Sequence, residues 1–356
     1  MTSPSTESLR LAGPDQLVAA LPFLVGFVPE QSLVLLAVDR VGPRARVVGS
    51  ARVDLGPSAA GSLRGFVGQA AARGAGAMYA VVYDDDVAQF SDRVRHDGLI
   101  EALRELVEAP GLALVDVLAV RTEVNEWRWW SLLCDDPRCC SPVGRTVARG
   151  SEVEAEAVGR GLVALPSRSA LTSELSVDPA LEARVADALP RWLDQARRDD
   201  RWRRCEVRSI DAAIAAVASE PAGVAIDHSI DLWAQQLVAV TDLVVRDLVI
   251  VQSRSIDVEA ATTHWGRLVR AAPVFVRAPA ATLLAIAHLQ RGEGARANVA
   301  VDVALAADPN YAMAGMLAMA LSTPAVTTDE LLAALHEAHR VERRRVMPGS
   351  DGFLDK

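Results

Sequence analysis

Apolar residues in the first third of the chain recur in short runs that alternate between two periods. Runs of strand length predict β-strands at Leu33 to Val38, Arg46 to Leu55, Met78 to Tyr83 and Leu112 to Val120. Helical spacing predicts helices at Asp15 to Leu24, Ser62 to Arg73 and His96 to Glu108. This alternation predicts an α/β N-terminal domain, with a mixed or parallel sheet flanked by helices and opened by a β-hairpin.

Beyond Gly150 the pattern becomes helical almost throughout. Between Ser229 and Val251 apolar residues recur at spacings of three and four, which predicts one buried helix. The stretch from Ala281 to Pro309 carries small residues at the spacing of a tetratricopeptide-like (TPR-like) helical hairpin. The predicted domains are an α/β domain at 1–150, a connecting region at 151–180, an all-α helical domain at 181–346 and a flexible tail at 347–356.

The composition favours a folded cytoplasmic protein. Apolar residues make up 51% of the 356 residues and charged residues 23%, a balance that disordered chains do not show. Charge interrupts every apolar run before it reaches the length of a membrane span, so no membrane association is expected. The net charge is −9, and the basic and aromatic stretch from Arg191 to Arg208 also carries carboxylates, as a solvated helix does. Nucleic acid is therefore not an expected partner.

Lysine is confined to the last residue, Lys356, among 37 basic residues. Arginine keeps its proton in proteins, so it cannot form a Schiff base or replace the lysine of a phosphate-binding loop. Pyridoxal enzymes and ordinary P-loop ATPases are therefore excluded for the folded body. The chain also lacks a dinucleotide-binding turn, an H-E-x-x-H zinc motif and a G-x-S-x-G elbow. Enzymatic activity stays open, and a non-catalytic role is favoured.

Acidic residues follow the third predicted strand. Asp84, Asp85 and Asp86 come directly after Tyr83, and the next strand is followed by a second polar group that comprises Arg121, Glu123, Asn125 and Glu126. If the two strands are parallel neighbours, these side chains converge at the ligand-binding edge of the sheet. Asp84 and Asp86 are then candidate magnesium ligands. A solvated loop rich in aspartate is the alternative interpretation.

Three of the four cysteines and three of the seven tryptophans lie between Trp127 and Gly144. Trp127, Arg128 and Trp130 are candidate binding residues in this segment. Cys134, Cys139 and Cys140 are candidate zinc ligands, although a second spaced pair is missing and the fourth ligand would come from a residue such as His96. A disulfide, or a turn whose thiols only pack under the tryptophans, explains the same residues. No cofactor is predicted beyond these two alternative metals.

Three segments resemble the markers of one family. The run from Pro14 through Gly26 and Ser32 to Val34 resembles the opening of the actinobacterial family catalogued as domain of unknown function 4192. The segment from Trp130 to Gly144 resembles its second marker, and Leu165 to Arg168 a third. The resemblance implies a shared fold over most of the chain and an actinobacterial cytoplasm. Because the family has no established activity, cofactor or partner, the resemblance assigns no catalytic role, but it makes the turns from Gly26 to Ser32 and from Cys134 to Gly144 candidate sites.

These observations favour a non-catalytic binding or scaffold protein. The expected partner is a protein or a small molecule, held at the strand ends of the α/β domain, with the helical domain supplying a docking surface. The alternative is a metal-assisted hydrolase that acts on a phosphorylated or nucleotide-like small molecule. In that case Asp84 and Asp86 would hold the metal, and Arg121 or Arg128 would steady the substrate charge. A thiol redox sensor that uses Cys134 is a third hypothesis.

Overall fold

A computed structural model describes residues 13–39, 47–87, 96–123, 126–134, 136, 141, 143–147, 150–160, 162–198, 202–220, 229–253, 256–322 and 330–337. The chain divides into two compact units, of which the first extends to Ala170 and the second begins at Leu171. No helix in these ranges is both long enough and apolar enough to cross a membrane.

The first unit is built on one six-stranded sheet. Its strands are β1 Ser32–Val38, β2 Val47–Asp54, β3 Ala77–Tyr83, β4 Ala113–Thr122, β5 Trp127–Ser131 and β6 Arg145–Thr146. They are arranged in the order β2-β1-β3-β4-β5-β6. Strands β3 and β4 run parallel, and each of the other neighbouring pairs is antiparallel. The predicted mixed sheet with flanking helices is therefore confirmed.

Helices cover both faces of this sheet. The helices of the unit are α1 Pro14–Val25, α2 Ala59–Ser62, α3 Arg64–Ala72, α4 Asp97–Glu108 and α5 Glu152–Gly159. Helices α2, α3 and α4 bury Leu63, Val67 and Leu103 in one cluster with alternate residues of the central strands. On the opposite face, α1 meets β5 where Trp129 Nε1 donates to Asp15 Oδ1 at 2.6 Å, and α5 packs against α1. Because both faces are covered, every residue of β1 is buried.

Two strands of the sheet were not predicted from the sequence. Four of the five residues of β5 are buried, so the strand lacks the alternation of apolar and polar residues that marks a half-exposed strand. Strand β6 has only two residues. Together they extend the sheet beyond β4 and lie on either side of the segment from Cys134 to Gly144, which was interpreted as a cysteine-rich turn.

The second unit is helical in every range that the structure describes. Its helices are α6 Arg168–Glu174, which begins just before the boundary, α7 Pro179–Arg198, α8 Trp202–Ala218, α9 Ile230–Ala239, α10 Leu243–Gln252, α11 Val258–Ala271, α12 Val274–Gln290, α13 Gly294–Ala307 and α14 Ala312–Ser322. Helices α7 to α14 enclose one apolar core. The α/β region is therefore followed by a helical region, as predicted.

The prediction of one continuous helix from Ser229 to Val251 is wrong. The chain breaks between α9 and α10, where Thr241 Oγ1 donates to the carbonyl of Val238 at 2.7 Å. Asp242 then caps α10, because its Oδ1 accepts from the N–H groups of Val244 and Val245 at 2.9 and 3.2 Å. Apolar residues continue at helical spacing across the break, so the sequence pattern does not reveal it.

Helices α12 and α13 form a hairpin that turns at Gly292, whose φ is +74°. The small residues that suggested a helical hairpin, Ala285, Ala297 and Ala304, are fully buried within it. Residues without long side chains allow the two helices to approach closely. The TPR-like character of this hairpin stays a prediction.

Candidate functional site

The carboxyl ends of β3 and β4 lie side by side because these strands are parallel, with Tyr83 opposite Val120. The N–H of Asp84 continues the ladder by donating to the carbonyl of Val120 at 3.1 Å. The exposed Asp85 then reaches the end of β4, where its Oδ1 accepts from the N–H and the Oγ1 of Thr122 at 3.4 and 3.2 Å. The structure thus brings the acidic turn after β3 together with the end of β4.

The first residue of this acidic turn is buried. The Asp84 side chain retains 5% of its exposure, and its Oδ2 lies 3.1 Å from Nε2 of His96, whose side chain retains 7%. His96 is the residue that precedes α4, so this contact joins the end of β3 to the start of a helix. Asp84 Oδ1 accepts from the N–H of Asp86 at 3.0 Å, whereas the Asp86 side chain is exposed. Sequence reasoning considered His96 only as a ligand for the cysteine turn and missed its contact with Asp84.

The basic residues near this edge are paired with carboxylates. Arg121 Nη2 lies 2.8 Å from Glu123 Oε1, immediately after the buried part of β4. On β5, Arg128 donates to Glu126 Oε1 at 2.7 Å and to the carbonyl of Val143 at 2.9 Å. Both guanidinium charges are therefore offset locally. Asn125 lies outside the described residues.

The tryptophan candidates belong to the interior of the first unit. Trp127 is 6% exposed and Trp130 is 1% exposed, and Trp130 joins the cluster under α2, α3 and α4. Gly144 adopts a φ of +78° against the Trp130 ring, where an added Cβ would lie 2.6 Å from Cε2. Glycine is therefore required at position 144 both by its backbone conformation and by its contact with the ring.

A second polar cluster lies at the opposite end of β4. A register shift between Met78 and Tyr79 places Asp116 opposite Tyr79, and Ser131 donates to Asp116 Oδ1 at 2.6 Å. Burial raises the pKa of the Asp116 carboxyl, against the lowering effect of hydrogen bonds from Ser131 and the Val117 N–H. Burial and the Asp116 charge together raise the pKa of Tyr79. The sequence signal for this cluster is Ser131, a polar residue beside the tryptophans of β5, and the sequence-based prediction did not include it.

The cysteine turn is described only in part. Ser131 Oγ accepts from the N–H of Cys134 at 3.1 Å, so the start of the turn is fastened to β5. Cys134 is partly exposed. Cys139 and Cys140 lie outside the described residues, so the zinc and disulfide hypotheses stay predictions. Within the described ranges, no three His, Cys, Asp or Glu side chains lie close enough together to hold a metal ion.

The turn from Gly26 to Ser32 is held by its own contacts. Gly26 ends α1 with a φ of +90°, and Gln31 has a φ of +40°. Ser32 is fully buried, donates to the carbonyl of Glu30 at 2.5 Å and accepts from Arg52 Nε at 2.9 Å. The polar group of Ser32 is therefore satisfied by the turn and by β2.

The segments that resemble family markers meet in the folded unit. The Val28 N–H donates to the Leu165 carbonyl at 2.9 Å, and the Leu165 N–H donates to the Gly26 carbonyl at 3.0 Å. The Asp15 bond to Trp129 connects the first segment to the strand that carries the second. A family model described as a domain of unknown function, DUF4192, matches residues 14–325.

The chain belongs to the DUF4192 family. The match begins in α1 and extends past the end of α14, so it includes both compact units. No curated protein and no solved structure matches the chain. The DUF4192 match covers most of the chain but names no function, so the function has to be argued from the residues themselves.

Proposed function

We propose that this DUF4192 protein is a non-catalytic binding or scaffold protein that holds a ligand or a partner group at the carboxyl ends of β3 and β4. The observation that carries the proposal is the contact between Asp85 and Thr122, which joins the turns after two parallel strands into one rim. In open α/β sheets, ligands bind outside the carboxyl ends of such strands.

The charges along this rim favour a cationic group. Asp85 and Asp86 are exposed carboxylates, and the nearest positive side chain on β4, Arg121, is already paired with Glu123. Exposed carboxylates attract an ammonium or guanidinium group and repel a free phosphate. The expected ligand is therefore a small amine, or a lysine or arginine side chain of a partner protein.

The helical unit supplies the docking surface in this proposal. Val274 and Phe275 begin α12 with exposed fractions of 51% and 66%, and Met316 and Met319 on α14 are exposed to 52% and 64%. Large apolar side chains that remain in water are the anchors that protein contacts use. Methionine suits such a surface because its flexible side chain adapts to different partners.

A ligand screen by thermal shift tests the strand-end site. Polyamines and arginine-rich peptides are expected to raise the melting temperature of the full chain, whereas nucleotides and sugar phosphates are not. The double variant Asp85→Asn, Asp86→Asn should abolish the shift. The double variant Glu101→Gln, Glu105→Gln on the exposed face of α4 changes the net charge equally and should keep it. Stabilisation by phosphates alone, or an equal loss in both double variants, would refute the cationic ligand.

A metal-assisted hydrolase is the second candidate. The buried contact between Asp84 and His96 favours it, because carboxylate and imidazole are common ligands of catalytic metals. The pairing of Arg121 with Glu123 and of Arg128 with Glu126 counts against it, since neither guanidinium is left to balance a substrate phosphate. Turnover of a phosphoester in the presence of Mn²⁺, lost in Asp84→Asn, would establish this function instead.

A further inference from the structure

Asp84 and His96 form a buried pair that folding alone does not explain. Their side chains are both more than nine-tenths buried, at the end of β3 and the start of α4, and Asp84 Oδ2 lies 3.1 Å from His96 Nε2. Burial of a carboxylate and an imidazole is costly unless each finds a partner. The geometry of their contact indicates the kind of partner that the pair has.

The contact does not fit a simple hydrogen-bonded ion pair, because its distance is short enough for a hydrogen bond but no hydrogen bond forms. At 3.1 Å the atoms are within ion-pair range, yet Nε2 of His96 makes no hydrogen bond in the described structure. A second buried pair in the same chain behaves differently, because His288 Nδ1 and Glu293 Oε2 form a hydrogen bond at 2.7 Å. A contact at this distance that makes no hydrogen bond is misaligned, since a hydrogen bond weakens steeply when its angle falls below about 120°.

Two ligands of one metal ion combine a short separation with poor hydrogen-bond direction. Each ligand points its lone pair at the ion and not at the other ligand. With metal–ligand distances of about 2.1 Å, two neighbouring ligands lie about 3.0 to 3.4 Å apart. The observed separation of 3.1 Å falls in this interval. We infer that Asp84 Oδ2 and His96 Nε2 together bind a divalent transition-metal ion.

The backbone holds the carboxylate ready for this role. The N–H of Asp86 donates to Asp84 Oδ1 at 3.0 Å, so one oxygen is fixed by the turn and the other is left toward His96. The N–H of Asp84 is itself held by the carbonyl of Val120 at 3.1 Å. Outer contacts of this kind orient a ligating side chain before the metal arrives.

The ligand types define the class of metal. An imidazole nitrogen with one carboxylate oxygen suits Zn²⁺, Mn²⁺ or Co²⁺, whereas Mg²⁺ and Ca²⁺ prefer oxygen ligands alone. Among the described residues no third His, Cys, Asp or Glu joins the pair. The inference goes beyond the proposed function, because it assigns a metal ion to Asp84 and His96 at the same strand end that carries Asp85.

Isothermal titration of the chelator-treated full chain at pH 8 tests the site with Zn²⁺, Mn²⁺ and Mg²⁺. One equivalent of Zn²⁺ or Mn²⁺ is expected to bind, with Mg²⁺ much weaker. His96→Gln and Asp84→Asn should each weaken binding at least tenfold. The matched control His288→Gln removes a buried histidine that has a true hydrogen bond, and it should leave binding unchanged.

A measurement on the native chain avoids dependence on the folding of these variants. The ¹⁵N resonances of the His96 ring should shift on addition of Zn²⁺ while those of His288 do not. The inference is overturned if no site saturates by about 1 mM metal, the weak limit of protein sites, or if His96→Gln binds as the native chain does. Amine binding that persists without metal binding would leave the proposed function standing. Metal binding without any amine or peptide binding would overturn only the cationic ligand.

Discussion

Replacing Gly144 by alanine should destabilise the first unit more than any other single-methyl change at a glycine with positive φ among those described. The backbone there has a φ of +78°, which costs an alanine about 1 to 2 kcal/mol. The new Cβ would also lie 2.6 Å from Cε2 and 2.7 Å from Cζ2 of Trp130. Because Trp130 is 1% exposed within the core, it cannot move aside without disturbing its neighbours. Overpacking of this kind costs about 1 to 3 kcal/mol.

The chain contains its own control for the backbone term. Gly150 has a φ of +71°, but an added Cβ there meets nothing within 4 Å. Gly150→Ala should therefore cost about 1 to 2 kcal/mol, and Gly144→Ala about 2 to 5 kcal/mol. For a unit of this size, about 1 kcal/mol lowers the melting temperature by about 2 to 4 °C.

Thermal unfolding of the full chain, followed by far-ultraviolet circular dichroism and by tryptophan fluorescence, measures both variants. Two probes are needed because the chain has two units and need not unfold in one step. Equal melting temperatures for Gly144→Ala and Gly150→Ala would refute the steric argument. A near-native Gly144→Ala would refute the placement of the ring against the turn.

Three further changes test the helical unit and the packing of α1. Burial raises the pKa of Asp211 to about 6, so the charged carboxylate destabilises the folded state relative to the unfolded one. Asp211→Asn should therefore stabilise the chain by about 1 kcal/mol in urea melts at pH 8. That gain should shrink as the pH falls below about 6 and vanish only below about 3.8, where the side chain is protonated in the folded and the unfolded states alike. Asp242→Ala removes the cap of α10 and should lower the free energy of unfolding by about 1 kcal/mol, whereas Asp187→Ala on an exposed face should not. Asp15→Ala leaves the Trp129 Nε1–H without its 2.6 Å acceptor and should cost about 1 to 3 kcal/mol, most of which Asp15→Asn should restore in the same assay.

The sequence predicted the strands that form apolar runs between turn residues and missed the elements that lack such boundaries. The strands β1 to β4 are apolar runs bounded by turn residues, and each was predicted from the sequence to within a few residues. Strand β5 has only five residues, and Arg128 interrupts its aromatic residues, so neither an apolar run nor alternation marks it. The break at Asp242 was missed for a related reason, because the apolar stripe has the same phase on both sides of the cap.

The candidate site was predicted in its position and not in its chemistry. The acidic turn after β3 and the polar end of β4 do lie together, because the two strands are parallel. Burial separates their roles, since Asp84 is 4% exposed whereas Asp85 and Asp86 remain in water. Three successive aspartates look alike in a sequence. The residue that distinguishes the first of them, His96, comes from the next helix and is identified only by the tertiary fold.

The bridge between Phe27 and Leu165 has a consequence for synthesis of the chain. These residues are far apart in sequence, yet Leu165 exchanges backbone hydrogen bonds with the turn that ends α1. A chain emerging from the ribosome at about 5 to 20 residues per second therefore waits many seconds before the bridge can close. During this interval α1 lacks its contact with α5, and the turn that ends α1 lacks its bridge to Leu165. The first unit can therefore complete its packing only after residue 165 has left the exit tunnel.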